Sequence, residues 1–422
     1  TRIMASQSLS STPSKRGAYL ALAAAFLGWL FDGFEIGLFP VVARPALASM
    51  LGAVPNLEGL VGQWMGIITA AFLVGAALGG AAFGWLGDRI GRVKAMSMSI
   101  LCYSLFSGAG YFAQAPEHLA IFRFIAALGM GGEWALGVAL VMEVWPEKHR
   151  PWLAGAIGAA ANLGMVIVGV IAMYVHVTID SWRWMFLVGA SPALLTFLIR
   201  LFVPESEKWQ HAKDATRDES SPLRKVLRAP ILKRTLVGIV ISSVALIGTW
   251  ASVQWIPLWA DKMTGGTVPG AKANAHMISS LGAVTGSLLA PMLLGRFSRR
   301  WGYFTLCTLS LLICAYLFRT QTSYTSHFIF TVYLTGTATA AFYGFFPLYL
   351  PELFPTAVRA TGQGLCYNAG RLVAAVGALS GGALVQHYGG YAEMGATITL
   401  VYAIGMIVIW FAPETKGKPL PE

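Results

Sequence analysis

Glu143-Val-Trp-Pro-Glu-Lys-His-Arg150 and Glu352-Leu-Phe-Pro-Thr-Ala-Val-Arg359 are the two stretches that decide the fold. Each sets a Glu, six further residues and an Arg, with Pro in the fourth place, and 209 residues separate them. Val203-Pro-Glu-Ser206 returns at the same offset as Ala412-Pro-Glu-Thr415. Gly84-Trp-Leu-Gly-Asp-Arg-Ile-Gly-Arg92 is echoed at Gly295-Arg-Phe-Ser-Arg-Arg-Trp-Gly-Tyr303, offset 211, and Asn162-Leu-Gly164 at Asn368-Ala-Gly370, offset 206. Echoes in one order at nearly one period mark a duplicated unit. The two halves run in the same direction.

What kind of unit follows from composition. Of 422 residues, 56% are hydrophobic and 12% charged. A soluble domain carries about 25% charged residues, so this chain lacks the charge to coat a soluble enzyme, and it is too apolar for disorder. A bilayer span needs about 20 apolar residues. Twelve segments qualify, near 18–43, 63–87, 93–113, 118–145, 150–175, 183–203, 234–260, 272–295, 301–318, 324–351, 357–386 and 391–412. The expected fold is therefore an all-α membrane protein with twelve transmembrane helices in two pseudo-symmetric six-helix bundles. Its expected parts are a cytoplasmic tail (1–17), a first bundle (18–203), a cytoplasmic linker (204–233), a second bundle (234–412) and a tail (413–422).

The 30 Lys and Arg residues set the orientation. With both termini inside, 23 fall in inside segments, 5 in outside loops, and Arg123 and Arg371 within spans. That bias is the positive-inside pattern, and it puts both termini in the cytoplasm. It also accounts for the net charge of +11 without nucleic acid. The first residues are Ser-rich and polar, without the apolar core of a secretory leader. No Gly-x4-Gly-Lys-Ser/Thr loop occurs, so ATP hydrolysis is not expected. The seven His and four Cys (Cys102, Cys307, Cys314, Cys366) show no metal-ligand spacing, so no metal and no enzyme chemistry are expected.

Gly84 to Arg92 resembles the loop 2–3 signature Gly-x3-Asp-Arg-x-Gly-Arg of the major facilitator superfamily, and the resemblance covers 18–417. Pro204-Glu-Ser206 and Pro413-Glu-Thr-Lys-Gly417 resemble its sugar-porter-like branch. Asp32-Gly-Phe-Glu35 is similar to the Asp-Gly-x-Asp/Glu of the aromatic-acid:proton symporters, with related patterns in niacin, sialate and synaptic-vesicle relatives. Gly131-Gly-Glu133 is closer to the sialate branch. The second-half loop departs from the signature. In the offset-211 register, Arg299 stands where the first half has Asp88, and Tyr303 where it has Arg92. An asymmetric gate is expected. By the resemblance, Asp88, Arg89, Arg92, Glu143, Arg150, Glu352 and Arg359 form ion pairs that close the cytoplasmic gate. The alternative is plain positive-inside anchoring.

Five ionisable groups fall within spans: Asp32 and Glu35 in the first, Arg123 and Glu133 in the fourth, Arg371 in the eleventh. Each costs ~2.5–3.5 kcal/mol at the bilayer centre on insertion scales, which makes each a functional candidate. Asp32 and Glu35 lie one turn apart on one helix face. Like charges that close in a dry site favour keeping a proton on one of them, so Asp32, Glu35 and Glu133 are the candidates for proton coupling. The structural alternative is ion pairing with Arg123 or Arg371. Arg371, with Tyr367 and Asn368 on its face, suits bidentate binding of a carboxylate. The resemblance supports it, since aromatic-acid symporters also carry an Arg twelve residues after the loop Arg. Trp250, Gln254, Asn162, Tyr343 and Arg123 complete the candidate substrate-binding set.

The leading expectation is a proton-coupled symporter that imports a small organic anion, such as a mono-, aromatic or sugar carboxylate, by alternating access. It needs no cofactor beyond the coupling proton. A monomer in a bacterial inner membrane is expected. Two alternatives stand: an uncoupled or sugar-transporting facilitator, and a transporter-like receptor without flux.

Overall fold

The computed structural model describes residues 15–175, 177–190, 201–215, 221–265 and 267–422, and these carry helices and short connections with no strand among them. The first half supplies α1 (Lys15–Leu51), α2 (Leu57–Ile90), α3 (Arg92–Ala109), α4 (Pro116–Val144) and α5 (Arg150–Tyr174). The second supplies α6 (Leu232–Trp250), α7 (Ile256–Thr264), α8 (Ala271–Leu294), α9 (Arg299–Thr320), α10 (Ser326–Leu353), α11 (Arg359–Tyr388), α12 (Tyr391–Ile398) and α13 (Val401–Val408). Among the described residues nine helical stretches are long and apolar enough to cross a membrane, and α3 and α11 pack among them. The middle of the expected sixth span, 191–200, and most of the expected tail, 1–14, lie outside the described residues. α1 runs through Pro40 and Pro45 to Leu51, past the expected limit at 43. Spanning helices tolerate such prolines because neighbouring groups re-satisfy the freed backbone.

The halves repeat one packing scheme. α2 lies on α4 and α1 on α5 in the first; α8 lies on α10 and α6 on α11 in the second. In lipid no hydrophobic force drives helices together, so close approach depends on small residues. A methyl group at Gly79 would strike the Leu128 carbonyl, and one at Gly286 the Thr337 carbonyl. The halves meet along two seams, α2 against α11 and α5 against α8. Gly84 rests on the Ala360 carbonyl in the first seam, and Gly155 on the Leu288 carbonyl in the second.

Helix starts at the linker end explain the repeated Pro-Glu-Ser/Thr. The Glu205 carboxylate accepts from the backbone N–H of Arg92 (3.0 Å) and Val93 (3.1 Å), satisfying the first turn of α3. Gly91, at φ +115°, makes the sharp turn that admits it. Glu414 does the same for α9, accepting from Arg299 N at 3.0 Å and Arg300 N at 3.3 Å. Partial burial works against that carboxylate, but these donors, with Lys416 N, outweigh it and hold Glu414 below the ordinary glutamate range.

This geometry corrects the sequence register. Arg299 opens α9 as Arg92 opens α3, an offset of 207, so Arg299 is the counterpart of Arg92 and Gly295 that of Asp88. The expected pairings of Arg299 with Asp88 and Tyr303 with Arg92 are wrong. Gly- and Arg-rich segments match in more than one register, and the helix starts choose between them. The asymmetry survives, because no acid stands opposite Asp88.

Candidate transport site and gate

Ion pairs concentrate at the linker end, where α2 and α4 finish and α3, α5 and α11 begin. Asp88 accepts from Arg92 (2.5 Å) within its own half. It also accepts across the seam from Ala360 N (3.2 Å), Thr361 N (2.8 Å) and the Thr361 hydroxyl (2.5 Å). An anion at a helix N-terminus meets both free N–H groups and the positive end of the dipole, so Asp88 caps α11 from the other half. Glu143 accepts from Arg92 (3.1 Å), from Arg359 of the second half (2.8 Å) and from Ser206 (2.5 Å). Arg92 also donates to the Thr356 carbonyl (2.7 Å).

The second half builds the same core with fewer crossings. Glu352 accepts from Arg299 Nε and Nη2, at 3.0 and 2.9 Å, and from the Thr415 hydroxyl at 2.5 Å. Arg150, the counterpart of Arg359, donates to Glu147 at 3.0 Å, with Glu352 only in electrostatic reach. Of the expected gate residues, Arg89 alone stands apart, exposed over the Trp85 ring. The tail 413–422 takes part. Leu420 is buried, and the Pro421 carbonyl accepts from Arg359 (2.7 Å) and Thr356 N (3.2 Å).

The membrane interior holds the second cluster. Asp32 (α1), Glu133 (α4) and Arg371 (α11) are 0%, 2% and 4% exposed. Asp32 interacts with Glu133, Arg371 and Glu35, and its carboxyl and that of Glu133 are close enough to share a proton. Among the described residues no other protein donor reaches any of their four oxygens, and Arg371 Nε has no acceptor. Gly28, one turn before Asp32, leaves the space that the Glu133 carboxylate fills. Rings enclose the cluster. Trp134 stacks on Tyr367 across the halves at 3.8 Å and 13°, Trp29 and Tyr343 set their edges to Tyr367, and the Arg371 guanidinium lies 5.8 Å from the Tyr367 ring. Asn368 ties the halves here, donating to the Gly131 carbonyl at 3.1 Å.

Other candidates lie elsewhere. Glu35 is paired with Arg123 and accepts from Ser107 at 3.1 Å. Arg123 also lies over the Phe39 and Phe72 rings. Both are thus engaged within the first half, so Arg123 is not brought to Arg371. Asn162 reaches Ser287 at 3.4 Å across the α5–α8 seam. Trp250 packs against the cluster that includes Phe72 and Ala374, and Gln254 is exposed between α6 and α7. Sequence reading missed Trp29, Trp134 and Tyr103, whose indole N–H and hydroxyl groups are buried without partners among the described residues. Their one signal is adjacency: Trp29 stands three residues from Asp32, and Trp134 next to Glu133.

The family model described as Major Facilitator Superfamily matches residues 21–277 and 266–422. The chain belongs to the Major Facilitator Superfamily. Members of this superfamily are transporters rather than enzymes, and the chain is a multi-pass membrane protein of that fold. Among superfamily relatives, it is 29% identical to a probable 4-methylmuconolactone transporter of Cupriavidus pinatubonensis, over 93% of this chain and 90% of that one. It is 26% identical to the cis,cis-muconate transport protein of Acinetobacter baylyi, over 95% of each. Among solved superfamily structures, the proton:xylose symporter XylE of E. coli superposes with a TM-score of 0.77 at 19% identity, over 96% of this chain and 98% of that one. At that identity the likeness speaks for the fold.

Proposed function

We propose that this transporter imports a small organic anion together with a proton, with both termini in the cytoplasm of a bacterial inner membrane. One observation carries the reading. Two buried carboxyls, Asp32 and Glu133, lie side by side with one guanidinium, Arg371, in electrostatic reach of Asp32, and among the described residues no other protein donor is on their oxygens. If all three ionise, one negative charge is left uncompensated in a medium that penalises it heavily. A bound proton is the smallest species that removes it. One proton leaves the pair with a single negative charge that Arg371 balances. A ligand carboxylate that takes over Arg371, whose planar fork suits two parallel hydrogen bonds, leaves that charge uncompensated again, so a second proton joins the pair as the anion binds. Proton and anion then bind in a mutually dependent way, which is the thermodynamic basis of symport.

The names of the relatives support the substrate class, since muconate is a small unsaturated dicarboxylate. The Trp134–Tyr367 stack beside Arg371 offers a flat surface for such a ligand. The basic excess at the linker end supports the orientation, and the closed ion-pair cluster there supports alternation between an inner and an outer opening.

The test is uptake by proteoliposomes of the purified protein, with cis,cis-muconate, a panel of aromatic carboxylates and neutral xylose. Accumulation of a carboxylate driven by an inward proton gradient, and its collapse with a protonophore, is the expected result. Accumulation of xylose alone, or carboxylate flux indifferent to the gradient, would overturn the reading.

A further inference from the structure

Away from both clusters, the second half carries a group of cations with no counter-ion among the described residues. Lys233 and Arg234 lie in the first turn of α6, and Arg300 in the first turn of α9. With Phe411 and two prolines they line a cleft of about 230 Å3 at the linker end. Two of the cations are held in place by neutral groups. Arg300 Nε donates to the Ala412 carbonyl at 2.8 Å, and Arg234 to the Leu353 carbonyl at 3.2 Å. No carboxylate pairs with any of the three among the described residues. The nearby Glu414 is spent on the backbone N–H groups of Arg299, Arg300 and Lys416.

The flanks of the cleft are apolar and open. Phe411 is 63% and Leu236 53% exposed, and Trp301 and Trp410 meet edge to face at 4.9 Å beside them, both partly bare. Exposed tryptophans at the ends of spanning helices mark the headgroup level of a bilayer. The charge is not a by-product of the duplication, since the repeat-related position of Arg300 is Val93. Three uncompensated cations at headgroup depth, bordered by apolar side chains, ask for a ligand with an anionic head and an apolar body.

We propose that this cleft binds the phosphodiester headgroup of an anionic phospholipid, with the phosphate between Lys233, Arg234 and Arg300 and an acyl chain along Leu236 and Phe411. Free inorganic phosphate would meet the cations but not the apolar flank. The occupant joins the starts of α6 and α9 to the end of the last span, bracing the second half.

Native mass spectrometry and thermal unfolding of the full chain in detergent test this, with added phosphatidylglycerol, phosphatidylcholine or inorganic phosphate. The wild type is expected to retain phosphatidylglycerol over phosphatidylcholine and to melt several degrees higher with it. Lys233→Gln combined with Arg300→Gln should lose at least half of both effects. If the double variant is not recovered folded, Lys233→Gln alone, whose side chain is exposed, should lower retention. Equal retention of the two lipids overturns the proposal, as does undiminished retention by the variants. Stabilisation by inorganic phosphate equal to that by phosphatidylglycerol overturns the lipid assignment.

Discussion

The linker-end gate and the interior cluster are built from the same residue types and could hardly be treated more differently. At the gate, Asp88, Glu143 and Glu352 each meet a guanidinium and at least one further donor. Inside, among the described residues, no donor but the other carboxyl reaches Asp32 or Glu133, and Asp32 adds only the fields of Arg371 and Glu35. A buried ion pair that is fully hydrogen-bonded repays much of its desolvation cost, and an unpartnered buried charge does not. The proposed gate is therefore a finished structure, with each of these carboxylates satisfied. The interior cluster is unfinished, and under the proposed function a proton and an anion complete it.

That contrast can be broken at several points. The largest effect is expected from Arg371→Ala, which removes the cation in electrostatic reach of Asp32. Carboxylate binding by calorimetry should fall at least about 100-fold, in line with loss of a charge-assisted bidentate contact; unchanged affinity would return Arg371 to a structural role. Asp32→Asn comes next. It should abolish proton-driven accumulation in proteoliposomes while leaving substrate exchange across the membrane measurable. Accumulation retained in that variant would shift the proton to Glu133.

Asp88→Ala removes a cap that crosses the seam. It should cost about 1–3 kcal/mol of closure and raise hydrogen–deuterium exchange in 359–364, where α11 starts. Exchange unchanged there would deny that Asp88 holds the halves together. Gly295, its counterpart, has no side chain to lose, so the α5–α8 seam should be insensitive to the matching change Gly295→Ala only if the Pro291 carbonyl beneath it can shift.

The smallest effect belongs to Glu414. Its carboxyl lies below the ordinary glutamate range, so its contribution is present above that range and is lost as pH falls through it. Between pH 6 and pH 4 the wild type should lose slightly more thermal stability than Glu414→Gln, measured in the same detergent. An identical pH dependence would mean that the cap on α9 carries no weight.

Much of this was legible in the sequence. The duplicated Glu-x6-Arg gave the two halves, and charge in an apolar span pointed to Asp32, Glu133 and Arg371. Periodicity could not choose between a substrate arginine and a structural one, so only geometry separates Arg371 from Arg123, which is taken up by Glu35. The Pro-Glu-Ser/Thr repeat was visible, but its role was not, because Glu205 and Glu414 cap helices more than 100 residues away in sequence. Trp29 and Trp134 escape sequence reading, since a tryptophan in a span gives no sign of whether its N–H finds a partner. The contribution of Pro421 left no signal at all, because a backbone carbonyl belongs to every residue.

The most direct test compares one chemical change at two places on one helix. Glu133→Gln and Glu143→Gln lie ten residues apart on α4, one in each cluster. Glu143→Gln leaves Arg92 and Arg359 without their shared carboxylate and should cost about 3 kcal/mol, lowering the melting temperature by on the order of 5–10 °C. Glu133→Gln removes a carboxyl that has no protein cation of its own, and the ligand-free variant should melt at or above the wild-type temperature. If Glu133→Gln is as destabilising as Glu143→Gln, the interior carboxyls are structural and the proposed proton site is wrong.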